Sequence, residues 1–272
     1  MLRRALAALA APALAACSPL GLANALTPRG DVALAADIAH GPLPRHRHDL
    51  YRPAGLGAEA PLLVFIHGGN WQTGSRRDYG FVARPLARLG ALVAVPDYRL
   101  WPEVAWPGFV EDTALAVRAL SAAHPGRRLV LMGHSAGAYN AAAAALDPRW
   151  GAKPLVGGFI GLAGPYDFGA EEASPPAIFA ASPRVVAAPD PLEGSCPLLL
   201  LHGAADVTVG PYHSRILAGR ARRAGVPVRH VEYPGMGHIG IVAALAAPVR
   251  AVGLAQGDVL GEVRGFLAVQ AS

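Results

Sequence analysis

Two kinds of apolar segment alternate along this chain. Short continuous runs at residues 61–66, 91–95, 127–132, 155–162, 197–201 and 226–233 have the form of strands buried on both faces of a parallel sheet. Between them lie longer segments, 78–89, 109–123, 136–146, 212–224, 239–247 and 258–270, that read as helices. In 109–123, for example, Val110, Ala114, Val117 and Leu120 fall on one helical face. Gly90 and Gly225 stand where two of these helices need a C-cap. Near the start, residues 31–40 and 45–51 predict a hairpin turned by Gly41-Pro42. Regular alternation of strand and helix predicts one α/β domain over 31–272. Its sheet should be mostly parallel, with right-handed crossovers, helices on both faces and ligands at the carboxyl ends of the strands. The stretch 169–194, rich in Pro, Ala and Ser, is the one long irregular insertion and a candidate lid.

Composition agrees with an ordered, compact domain: of 272 residues, 53% are hydrophobic and only 16% charged. The formal charge of +5 comes almost entirely from scattered arginines, Lys153 being the only lysine. No basic stripe of the kind that tracks a phosphate backbone is present, so nucleic acid is not an expected partner. Met1-Leu2-Arg3-Arg4 followed by the apolar run 5–16 has the form of a secretory signal. As a helix that run is about 18 Å long, too short to span a hydrocarbon core of about 30 Å. It ends in Leu14-Ala15-Ala16-Cys17-Ser18, which resembles the lipobox of bacterial lipoproteins. That resemblance implies a signal peptide over 1–16, a lipid-modified Cys17, a tether over 17–30 and export to the cell envelope. Ser18 after the cysteine points to the periplasmic face of the outer membrane. Cys196 would then be the one remaining thiol, a small buried hydrophobe with no catalytic part. His46 and His48 form an H-x-H pair without further ligands nearby in sequence, and an exposed edge hairpin accounts for them.

Chemistry concentrates at four places. Gly133-His134-Ser135-Ala136-Gly137 joins the apolar run ending at Met132 to the alanine-rich helix 136–146. Strand, tight turn and helix in that order hold a serine hydroxyl out above the sheet, and the two glycines permit the sharp fold and the close approach of strand and helix. A serine hydroxyl needs a base, and the base an orienting acid. His238, in the glycine-rich loop after the strand 226–233, can swing over Ser135, whereas His202 and His213 have structural explanations at a strand end and a helix start. Asp206 follows the strand 197–201 and is the preferred acid, with Asp167 the rival and Asp190 on the wrong edge. His67-Gly68-Gly69-Asn70-Trp71 follows the strand 61–66. Acyl transfer builds negative charge on a carbonyl oxygen, and backbone N–H groups aimed there stabilise it. The amides of Gly69, Asn70 and Ala136 are the expected donors.

Together these elements resemble the α/β-hydrolase superfamily over about residues 31–270. Within it, His67-Gly68-Gly69-Asn70-Trp71 and Asp97-Tyr98-Arg99-Leu100-Trp101-Pro102-Glu103 resemble the carboxylesterase group that includes kynurenine formamidases. Asn70 stands where the hormone-sensitive-lipase type has a third glycine. The resemblance implies an α/β-hydrolase fold with a short lid-like insertion. It also implies a serine hydrolase needing no metal or cofactor, with Ser135 as nucleophile, His238 as general acid/base and Asp206 as orienting acid. Its substrates would be small-molecule esters of short acyl groups, or alternatively aryl formamides. A catalytically inactive envelope binding protein of the same fold is the reading from a different class. Trp71, Tyr139 and Tyr166 are candidates for the pocket wall.

Overall fold

A computed structural model of the chain describes residues 19–181, 184–190 and 192–269. The signal-like segment and Cys17 lie outside the described residues. Ten strands are described: β1 (Val32–Ala39), β2 (Arg47–Pro53), β3 (Leu62–Ile66), β4 (Leu92–Pro96), β5 (Leu129–His134), β6 (Val156–Leu162), β7 (Asp167–Gly169), β8 (Arg184–Val186), β9 (Leu198–Gly203) and β10 (Val228–Tyr233). Eight of them form one sheet in the order β1-β2-β4-β3-β5-β6-β9-β10. Pairing is antiparallel where β1 meets β2 and β2 meets β4, and parallel from β4 to β10. The hairpin and the parallel body predicted from the apolar runs are therefore both present.

Strand side chains alternate between faces, and the continuous apolar runs exist because both faces are covered. Leu62, Val64 and Ile66 of β3 join one core together with residues of helices Gly108–Ala123, Ala136–Leu146 and Tyr212–Arg223. Leu63 and Phe65 enter a second core on the opposite face, with residues of helices Gly80–Ala87, His238–Ala243 and Val259–Val269. The helix Ala136–Leu146 is buried along its whole length, so its run of alanines is what lets it lie close against the sheet.

Three details differ from the sequence expectations. Part of the segment expected to be a plain tether, Pro19–Leu26, forms a short helix docked on the domain. Asn24 Nδ2 donates to the carbonyls of Arg77 and Asp78, and its Oδ1 accepts from the Phe81 amide. His46 and His48 are buried rather than exposed: β2 also pairs with β4 and is no free edge, and His46 stacks on His40 and meets the helix Gly108–Ala123. His46 Nε2 lies 3.0 Å from Asp112 Oδ1, and burial pushes His48 down to about 4, so it is neutral near pH 7. The 169–194 insertion is not wholly irregular. β7, which leads into it, pairs with β8 in an antiparallel ribbon, and Ile178 and Phe179 between them are buried in the first core.

Candidate active site

The sheet brings the four chemical segments to one edge. Chain order reverses around β3, which lies between β4 and β5, and the C-terminal end of β3 sits beside the elbow with Ile66 in register with Gly133. A crevice at the carboxyl ends of strands is expected at such a reversal. The loop 67–74 and the elbow are its two lips.

Ser135 has φ +54° and ψ −125°, a conformation unfavourable for a residue with a Cβ. Surrounding contacts impose it. The Ser135 amide continues the sheet by donating to Leu162 O at 2.9 Å, while the carbonyl accepts from Ala138 and Tyr139. A Cβ on Gly133 would stand 2.3 Å from Gly137 O, and one on Gly137 would stand 2.2 Å from Ile66 O, so only glycine fits either place. Ser135 occupies the N-cap of the helix, yet its side chain accepts no capping hydrogen bond. Its hydroxyl instead donates to His238 Nε2 at 2.8 Å.

His238 Nδ1–H donates to Asp206 Oδ2 at 2.7 Å. The two loops meet because β9 and β10 are paired and their ends are laced together: Ala204 N donates to Tyr233 O at 2.9 Å and Ala205 N to Met236 O at 3.0 Å. A Cβ on Gly203 would come 2.1 Å from Met236 O, so this glycine permits the approach. Asp206 Oδ1 accepts from the amides of Thr208 and Val209, both at 2.9 Å. Burial pushes the Asp206 carboxyl up, but hydrogen bonds from His202, His238 and the Val209 amide outweigh burial and hold it well below the usual carboxylate range. It is therefore a carboxylate at neutral pH.

Two histidines matter here that sequence reasoning left without a role. His202 is fully buried; its Nε2–H donates to Val209 O at 2.9 Å and faces Asp206 Oδ2 at 3.3 Å, while Ser214 Oγ donates to its Nδ1 at 2.7 Å. It meets the same carboxylate oxygen as His238 and helps hold the acid in place. His134 Nε2–H donates to the His238 carbonyl at 3.2 Å, and burial pushes its pKa down to about 3. A neutral His134 steadies His238 without competing with an imidazolium for the carboxylate. Both stand beside residues legible in the sequence, Gly203 and Ser135, but His134 finds its partner in the distant His238 loop and His202 finds its partners only through the fold of the loop that follows it.

The amides of Gly69, Asn70 and Ala136 donate to no acceptor among the described residues, and all three residues line the same cavity as Ser135 and His238. Gly69 (φ +125°), Asn70 (φ +54°) and Trp71 (φ +56°) are all left-handed. A Cβ on Gly69 would come 2.2 Å from Thr73 O, so the turn requires glycine. Behind the loop, Arg76 is buried between Asp49 and Asp97, and Tyr98 Oη donates to His67 O at 3.0 Å. In front, Asn70 Nδ2 and Gln72 Nε2 both donate to Ser174 O, at 2.8 and 2.7 Å, strapping the loop to the insertion.

The cavity has a volume of about 940 Å³. Trp71 lines it as expected, but Tyr139 and Tyr166 do not. Tyr139 turns into the core, edge-on to Phe168 and Phe179, and Tyr166 packs against Phe159. The aromatic wall is made instead by Trp71, Tyr79, Phe168 and Tyr212. Asp167, the rival acid, opens the ribbon strand β7 opposite Val186, and it is Asp206 that bonds His238.

Comparison with known proteins adds the following. A family model described as alpha/beta hydrolase fold matches residues 63–177. The acetyl-hydrolase of Streptomyces hygroscopicus is 31% identical over 202 residues, covering 65% of this chain and 67% of that protein. The kynurenine formamidase of Danio rerio is 31% identical over 135 residues, covering 48% of this chain and 46% of that protein. Among solved structures, a bacterial heroin esterase is 25% identical with a TM-score of 0.73, covering 91% of this chain and 88% of that one. The chain spans about half the length of several of the curated relatives it matches.

Proposed function

The chain belongs to the α/β-hydrolase fold family, and from that premise we propose that it is a carboxylic ester hydrolase acting on small acyl groups through an acyl-enzyme. The single observation that carries the reading is the unbroken relay from Ser135 Oγ through His238 to Asp206, facing three uncommitted backbone amides. In this mechanism His238 Nε2 takes the Ser135 proton as Oγ bonds to the substrate carbonyl carbon. The carbonyl oxygen becomes an oxyanion held by the amides of Gly69, Asn70 and Ala136. As the tetrahedral intermediate collapses, the bond to the alcohol oxygen breaks and His238 gives that oxygen its proton. Water then attacks the acyl-enzyme by the same route, releasing the acid and restoring Ser135.

Charge around the cavity favours esters over the aryl formamide alternative. Asp78 and Glu172 line it, and no arginine or lysine does among the described residues, although the chain as a whole carries +5. The amino-acid end of N-formylkynurenine carries an ammonium and a carboxylate, and its carboxylate would find no cation among these lining residues. Trp71 and Phe168 supply the bulk that limits acyl length. The test is kcat/KM across acetyl, butyryl and longer acyl esters of one alcohol, with N-formylkynurenine alongside. Short esters should be preferred, each methylene that does not fit costing about 1–3 kcal/mol. A maximum on long-chain triglyceride, or N-formylkynurenine surpassing every ester, would overturn this.

We also propose that the mature enzyme is a lipoprotein held through Cys17 in the cell envelope, at the periplasmic face of the outer membrane. The lipobox-like Leu14-Ala15-Ala16-Cys17 and the basic, then apolar, N-terminus support this. Maturation supplies several acyl chains, enough for stable anchoring where one chain is marginal. Expressed in a two-membrane bacterium, the full-length protein should fractionate with outer membranes and carry lipid mass at its N-terminus, and Cys17→Ser should release it. Soluble wild type without lipid mass would remove the anchor.

A further inference from the structure

Within the proposed ester hydrolysis, the oxyanion donors come from two separate segments, and something must fix their relative positions. Gly69 and Asn70 belong to a loop with three consecutive left-handed residues, whereas Ala136 opens a rigid helix. Strained turns of this kind persist only where surrounding structure over-determines them. Trp71 is buried, 3% exposed, with its ring among Phe109, Tyr139, Phe168 and Phe179. Apolar packing of that sort fills space but does not specify direction. The directional contact of the ring, and the one that reaches the helix carrying Ala136, is a hydrogen bond from Trp71 Nε1–H to Asn140 Oδ1, at 2.9 Å.

Asn140 is 0% exposed and lies four residues beyond Ala136 on the same helix, hence one turn along on the same face. Its Nδ2 has no partner among the described residues. A buried amide left half unsatisfied is a net cost to the fold, and an apolar residue of similar size would avoid it. What this side chain supplies in return is an acceptor for the indole. We infer that Asn140 is a positioning residue for the oxyanion hole: by holding the Trp71 indole, it ties the Gly69 and Asn70 amides to the helix that carries the Ala136 amide.

A double-mutant cycle on a short neutral ester tests this, using Asn140→Leu, Trp71→Phe and the pair, with kcat expressed per titrated active site. Asn140→Leu should lower kcat by about 10- to 100-fold, the scale of a displaced oxyanion donor, with KM changed little. The inhibition constant of a trifluoromethyl ketone, which mimics the tetrahedral intermediate, should rise in parallel. The double variant should be no slower than the slower single variant, because both changes break one bond. Asn140→Asp, which keeps an oxygen acceptor, should recover much of the rate. Unchanged kcat per site in Asn140→Leu, or losses that multiply in the double variant, would overturn the inference. A wild-type protein that does not cleave the ester at all would instead overturn the ester hydrolase reading on which it rests.

Discussion

Replacing Ser135 by alanine is expected to lower kcat for a short-chain ester by at least about 10⁴-fold, and His238→Ala by a similar factor. The hydroxyl of Ser135 caps no helix and bonds only His238 among the described residues, so its removal takes away the nucleophile without removing a structural contact. Alanine at φ +54° is no more strained than serine, and the sheet bond from residue 135 to Leu162 O is made by backbone. Folding measured by circular dichroism and thermal melting should therefore change little. His238→Ala gives up its ring contact with His134 but little core volume. Because the two side chains act as one unit, the double variant should be no slower than either single variant.

Asp206→Asn is expected to cost about 10⁴-fold in kcat. Two turn amides bind one carboxylate oxygen, while His238 Nδ1–H and His202 Nε2–H face the other. Asparagine can keep the turn amides on its carbonyl, but it then points an NH2 group at two N–H donors. His238 is left without its orienting acceptor and shifts to the tautomer that cannot take the serine proton. Asp167→Asn should retain near wild-type turnover. The reverse pattern, with loss on Asp167→Asn alone, would move the acid to the ribbon. The pH dependence has a definite sign. A carboxylate whose folded pKa is depressed adds stability that is complete above its unfolded value, near 3.9, and is lost as pH falls toward the lower folded value. The stability gap between wild type and Asp206→Asn should thus be constant through neutral pH and close only below about pH 4.

The parts of this fold legible in the sequence are those in which the local pattern and the tertiary environment demand the same thing. Continuous apolar runs such as 61–66 are strands because both faces are covered, and the alanine run after Ser135 is a helix because nothing larger fits against the sheet. Ser135, Asp206 and His238 could be picked out because each directly follows or closely trails a strand end, where side chains reach the crevice. Direction was harder. Tyr139 and Tyr166 lie near the crevice in sequence, but their rings turn into the core, Tyr139 against Phe168 and Phe179 and Tyr166 against Phe159. The roles of His202 and His134 are not legible in the sequence, because they depend on loop conformation that brings Val209 and Ser214 to His202 and on the remote His238 carbonyl. The burial of His46 and His48 likewise depends on remote partners, β4 pairing beside β2 and the helix residue Asp112 meeting His46.

The account rests on an activated serine at residue 135, and covalent labelling tests it most directly. The protein is incubated with a fluorophosphonate at neutral pH, alone and as His238→Ala, and the adduct is located by intact mass and peptide mapping. The expected result is one phosphonyl group per chain, on Ser135, with labelling slowed by orders of magnitude in His238→Ala. A folded protein whose Ser135 stays unmodified, or labels no faster than its His238→Ala variant, would contradict the account and leave a hydrolase fold used for binding.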